Sequence, residues 1–362
     1  MKYFTLLLFF SVIVNAALAE RFVYLSAGGK VTVFSVDEKT GKLAEIQSVP
    51  GAGITAITRD QKRLYRVGGK QVESYEIEND GKLKSIGKDA TTEKGGYLAL
   101  DSTERFLAGS DYGGGKATVW GIGENGVAKG KPVAQMELEK AAHSSVFSPD
   151  NRFLLVPATT PNKVFHTRFN ERTGAIVAHD PPFVFGPKEK GDAQQPRHLI
   201  FHPRGDIAYT TLEREVPGVG VWKWDGIALS VIQNIPTTPE GYQGSITTAD
   251  LHLTPNQKFL YVSNRDLTDR KANTGNSTIV GFRVNEGTGK LTLIGHTPCP
   301  QVPRAFAIDR AGEFMYVAGQ TAAKLAIYRI DQENGGLAKV DEIETGKGPN
   351  WVRCVTLGSD KN

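Results

Sequence analysis

"QQPRHLIFHPRGDIAYTTLE", Gln194 to Glu213, sets an arginine directly after a proline, joins two short apolar stretches by a turn, and closes on a glutamate. The frame returns as "QVPRAFAIDRAGEFMYVAGQ" (Gln301 to Gln320). It recurs more loosely as "HSSVFSPDNRFLLVPA" (His143 to Ala158) and "ADLHLTPNQKFLYVSN" (Ala249 to Asn264). Each copy reads as a strand, a Pro/Asp/Asn/Gly turn and a strand back. A third strand follows ("VGVWKW", "IVGFRV", "LAIYRI"), then a turn such as "NEGTGK" or "DQENGG" and a weaker fourth strand. Four strands repeating every roughly 45–55 residues predict the blades of a β-propeller.

Fainter copies start near Gly53 ("ITAITRDQKRLYRVGG") and Tyr97 ("YLALDSTERFLAGSD"). The first repeat, from Phe22, lacks an opening strand, and the C-terminus supplies a spare one, "NWVRCVTLG" (Asn350 to Gly358). A vacancy at one end and an orphan strand at the other predict an all-β, seven-bladed propeller, its ring closed by the C-terminal strand completing the first blade. Closure removes the open edges that an unclosed array would expose. No composition shift or linker divides the chain, so residues 20–362 are expected to form a single domain.

The 362 residues carry 43 Lys and Arg against 39 Asp and Glu, a net charge of +4. With no block of like charges, nucleic acid is not an expected partner. Mean hydropathy is −0.28, and no segment after the N-terminus is apolar enough to span a bilayer. At the N-terminus, Lys2, the run "YFTLLLFFSVIV" and Ala17-Leu18-Ala19 before Glu20 read as a signal peptide over residues 1–19. A periplasmic or secreted protein is therefore expected, with no membrane insertion of the mature chain. Cys299 and Cys354 have the compartment for a disulfide, but their spacing leaves pairing open.

Antiparallel alternation places the start of each blade's first strand (A) on the same rim as the end of its second (B). His143, Arg197, Asp250, Arg304 and Asn350 are read as starting A strands, and Glu213, Arg265 and Gln320 as following B strands. All eight are expected at one mouth of the channel, with Arg197 and Glu213 facing each other across a hairpin. The bland reading has each arginine tying neighbouring blades. Three arginines with few carboxylates fit an anionic ligand better, because the planar fork suits a carboxylate, phosphate or oxyanion. His198 and His202 have the i,i+4 spacing of helical metal ligands but fall on a strand, about 13 Å apart. "DYGGGKAT" (Asp111 to Thr118) lacks the phosphate-loop spacing. No metal or cofactor is expected.

The four stretches from His143, Gln194, Ala249 and Gln301, with "GKGPNWV", resemble the lactonase family of seven-bladed propellers, which includes 6-phosphogluconolactonases and carboxymuconate-lactonising enzymes. The resemblance implies His143, Arg197, Glu213 and Arg265 as catalytic residues, and the strand placement adds Arg304, Gln320, Asp250 and Asn350 as candidates for substrate binding. It implies a small anionic or sugar-derived lactone as the partner and hydrolysis as the reaction, with Glu213 or His143 as general base. The alternatives are cycloisomerisation by the same residues and a non-catalytic periplasmic binding propeller. The sequence departs from the family in having only Ala142-His143, after Ala141, where many members carry Pro-His-x-His. Its loop from Asp266 to Asn276 is also long, and is expected to reshape the mouth.

Overall fold

The computed structural model describes residues 20–189, 191–268 and 275–358. The signal-peptide reading of residues 1–19 lies outside the described residues, as does the middle of the loop from Asp266 to Asn276. Every regular element described is a β-strand, and seven four-stranded antiparallel sheets follow one another around a ring. Blades 2 to 7 each take four consecutive strands, A to D. In blade 1 the chain's last strand, Trp351–Leu357, occupies position A and pairs with the first, Glu20–Ala27, in the register Ser26 opposite Trp351. The expected closure is therefore present. Among the described residues, one small unpredicted hairpin, Lys188–Glu189 with Asp192–Ala193, links blades 4 and 5.

The core is divided among the blade interfaces. Among the described residues there are seven buried apolar clusters, and each joins one blade to the next. Blades 7 and 1, for example, share Phe314, Tyr316, Leu325, Val23 and Val352. The strand sequences account for this arrangement. B and C strands are buried on both faces because each face meets a neighbouring blade, whereas D strands are largely exposed or half-buried and border solvent.

A recurring tie fixes the spacing. The hydroxyl of Tyr209 in strand B of blade 5 donates to the carbonyl of Gly289 in the C–D turn of blade 6 (2.9 Å). Tyr24, Tyr65 and Tyr261 make the same bond at other interfaces, to Gly81, Gly126 and Gly335. These turns need glycine on two counts. Gly81 has φ +79°, and a Cβ there would come within 2.2 Å of the Phe22 ring. The turn residues that reveal the repeat in the sequence are thus also the points where blades dock.

Candidate active site

The site is built around four A strands: Val146–Phe147 in blade 4, which begins after His143 rather than at it, Pro196–Phe201 in blade 5, Ile246–Leu253 in blade 6 and Pro303–Ile308 in blade 7. In the last three, pairing with strand B slips by one residue. Pro196 faces Leu212 while Leu199 faces Thr210, so strand A holds one extra residue around Arg197 and His198. Blade 6 has the same irregularity around Ala249 and Asp250, and blade 7 has it at Arg304. A bulge breaks the strict alternation of faces and re-aims side chains. Adjacent residues such as Arg197 and His198 can therefore both belong to one cluster.

The central group is an ion triad. Arg265 Nη2 donates to Glu213 Oε1 at 2.6 Å and to Thr248 O at 2.8 Å, while Arg197 Nε lies 3.8 Å from the same Glu213 oxygen. Arg197 is 1% exposed and Glu213 5%, so these charges are largely removed from water. Burial pushes the Glu213 carboxyl up, but the two guanidiniums outweigh it and the net direction is down. Glu213 is therefore an anion wedged between cations.

Behind the triad, Arg197 is positioned by a relay. Asp250 accepts from His198 Nδ1 (2.9 Å), which leaves His198 Nε2 as the lone-pair nitrogen beside Arg197 Nη1 (3.0 Å). Arg197 Nη1 also donates to Ala249 O. Burial, followed by the charge of Arg197, pushes His198 down to about 3, so the ring is neutral. Asp250 is held well below the carboxylate range: burial opposes ionisation, but His252 and His198 prevail. His252 Nε2 lies 3.2 Å from its second oxygen, which also accepts the Phe306 amide.

His143 faces the triad from blade 4. Its ring stands edge-on to His198 (5.1 Å between centroids) and to Tyr112 (5.4 Å). Burial, then Arg197, lowers its pKa well below the usual histidine value, because a second cation beside the guanidiniums is costly. Its Nδ1 is buried without a partner among the described residues, so the ring meets the pocket through its other edge.

A pocket of about 360 Å³ is lined by His143, Glu213, Arg265, Arg304 and Gln320, with Tyr112, Arg214 and Leu267. Five of the eight predicted residues thus share one cavity at the expected mouth. The other three do not line it. Arg197 lies behind Glu213, and Asp250 sits mid-strand rather than at a strand start, where it buttresses His198. Asn350 is tied through its amide to Ser26 O (3.1 Å) in blade 1. Sequence reasoning missed His198, Tyr97 and Arg214. Tyr97 packs edge-on to His198 at 4.9 Å. The "PRH" triplet draws attention to His198, but strict alternation points it away from Arg197, and only the bulge reverses that.

Among the described residues no cluster of three or more His, Cys, Asp or Glu could hold a metal ion. His202 accepts the Arg204 amide in the A–B turn, away from His198. Cys299 and Cys354 are unpaired. No helix among the described residues is long and apolar enough to cross a membrane.

The family profile described as "Lactonase, 7-bladed beta-propeller" matches residues 19–354. A 6-phosphogluconolactonase of Pectobacterium carotovorum is 32% identical over 324 residues, covering 88% of this chain and 93% of that one. One from Serratia proteamaculans is 32% identical, covering 87% and 92%. The periplasmic gluconolactonase of Pseudomonas aeruginosa superposes with a TM-score of 0.81 at 25% identity, covering 93% and 99%. The chain belongs to the lactonase family of seven-bladed β-propellers.

Proposed function

We propose that the protein is a lactone hydrolase acting on a sugar-derived or acidic lactone, with the blade 4–7 pocket as its active site. The observation that carries this reading is a neutral imidazole and several guanidiniums lining one cavity. A lactone bound there would present its carbonyl oxygen to Arg265 and Arg304, which stabilise the oxyanion that develops as water adds. His143 takes the proton from that water. When the ring C–O bond breaks, the imidazolium returns the proton to the departing hydroxyl, and the product is a hydroxy acid. Glu213 is the poorer base because Arg265 and Arg197 hold its anionic form. Its role is to hold the two guanidiniums together, and Asp250 and His198 orient Arg197 from behind.

The names of the relatives, 6-phosphogluconolactonase and gluconolactonase, support aldonolactones as the substrate class. An exported enzyme is also part of this proposal, with residues 1–19 removed. It is supported by the basic-apolar-small pattern at the N-terminus and by the periplasmic relative. N-terminal sequencing of the secreted chain should begin at Glu20. For the reaction, proton release from δ-gluconolactone in weak buffer should exceed the spontaneous rate and fall at least about a hundredfold in kcat for His143→Asn. Equal rates in the two proteins would sink the assignment.

A further inference from the structure

Arg214 borders two pockets. On one side lies the cavity described above. On the other, a second pocket of about 480 Å³ opens between the B–C loop of blade 5 and the loop leading into strand A of blade 6, walled by Glu215, Pro217, Thr238, Tyr242, Ser245 and Thr247. The two are coupled through the chain as well as in space. Thr247 of the outer pocket pairs with Arg265 of the inner one in strand register, and the Leu267 amide of the inner pocket donates to Ser245 O. The exposed side chain of Arg214 is the partition.

The outer pocket has a built wall. Tyr242 OH donates to Asp266 Oδ2, Thr268 Oγ1 and its amide donate to Asp266 Oδ1, and the Ser245 amide donates to Thr268 Oγ1 at 2.7 Å. The loop is thereby stitched to the end of the strand that carries Arg265. Beneath it, the hydroxyls of Thr238 and Thr247 are buried without a partner among the described residues.

Charge indicates what fits. Among the described residues, the inner pocket gathers Arg214, Arg265 and Arg304 with Glu213. Among the described residues of the outer pocket, Arg214 is balanced by Glu215 and the others are hydroxyl-bearing or apolar. A phosphate or carboxylate finds its complement in the inner pocket, not the outer one. A neutral polyhydroxy ring suits the outer pocket, with Tyr242 and Pro217 for its C–H faces and hydroxyls and charged groups for its own hydroxyls.

We propose that the outer pocket is a subsite for a second, uncharged sugar ring, so that the preferred substrate is the lactone of an aldobionic acid. This rests on the hydrolase reading above. The test compares kcat/KM for δ-gluconolactone with that for cellobiono- and maltobionolactone, in wild type and in Ser245→Trp, which fills the pocket from an exposed position. At least one bionolactone should exceed gluconolactone about tenfold, mainly through KM, and the variant should cut that ratio at least fivefold. Tyr242→Ala, which removes the same wall, should cut it as well. A wild-type ratio at or below one for both bionolactones, or a ratio neither variant changes, overturns the subsite. If no lactone is turned over, the hydrolase reading falls separately, and calorimetry decides the subsite. Cellobionate or maltobionate binding at least fivefold tighter than gluconate, with the advantage lost in Ser245→Trp, sustains it; equal binding overturns it.

Discussion

Replacing Glu213 by glutamine keeps the side chain's size and removes its charge. Arg197 and Arg265 then face each other with no carboxylate between them, Arg197 at 1% exposure and Arg265 at 7%. Stripping one partner from a buried ion pair costs about 3–5 kcal/mol, because a charge that loses its counter-ion stays desolvated. The pocket admits water on one side, so the low end, about 3 kcal/mol, applies here. At about 2.1 cal/mol/K per residue, unfolding entropy for a chain of this length is roughly 0.7 kcal/mol/K, so the melting temperature should fall by about 4 °C. Calorimetry at neutral pH reads this directly, and adding Arg265→Gln should restore part of the loss by removing the repulsion between the two guanidiniums. The pH dependence has a definite sign. The folded carboxyl sits below its ordinary value, so its stabilisation is present above that value and disappears as pH falls through the lowered one. The gap between wild type and variant should close in acid. If Glu213→Gln melts with wild type at neutral pH, the triad does not hold the mouth together and the reasoning fails.

Further expectations concern the relay, the pH profile and the blades. Asp250→Asn should free His198 to change tautomer, loosen Arg197 and lower kcat/KM by about 10–100-fold; nitrogen shifts of the His198 ring should change with it, and unchanged shifts would contradict the relay. Because His143 is held neutral well below the usual histidine range, kcat/KM should show no limb near that range, and a limb there would exclude it as the base described. His166, buried between strands and beside His179, is pushed down to about 4 by burial first and His179 second. Its neutral form should therefore contribute about 3 kcal/mol above the unfolded histidine value of about 6.5, lost as pH falls toward about 4, and His166→Leu should abolish that slope in denaturant titrations. Tyr209→Phe should cost about 1 kcal/mol by leaving the Gly289 carbonyl unbonded, and an unchanged urea midpoint would show that the tie is dispensable.

The blades were legible because their signal is local. Turn residues such as those at Gly289 and Gly335 recur where C–D turns dock under the neighbouring blade, and the vacancy before Phe22 pointed to closure by Trp351–Leu357. His143, Glu213, Arg265, Arg304 and Gln320 were placed at one mouth by strand direction alone. What remained hidden depends on single-residue slips of register. The extra residue at Arg197–His198 and at Ala249–Asp250 leaves no mark in composition, yet it moves His198 into the cluster and makes Asp250 its buttress. Arg214 was missed for another reason: its importance lies in being shared between two pockets, which no strand pattern encodes.

The central claim is most directly tested by following proton release from δ-gluconolactone in weak buffer with wild type, His143→Asn and Arg265→Gln side by side. The account predicts catalysis by wild type and a loss of at least about a hundredfold in each variant, one by removing the base and one by removing an oxyanion donor. Wild-type release at the spontaneous rate, or variants that match wild type, would contradict it.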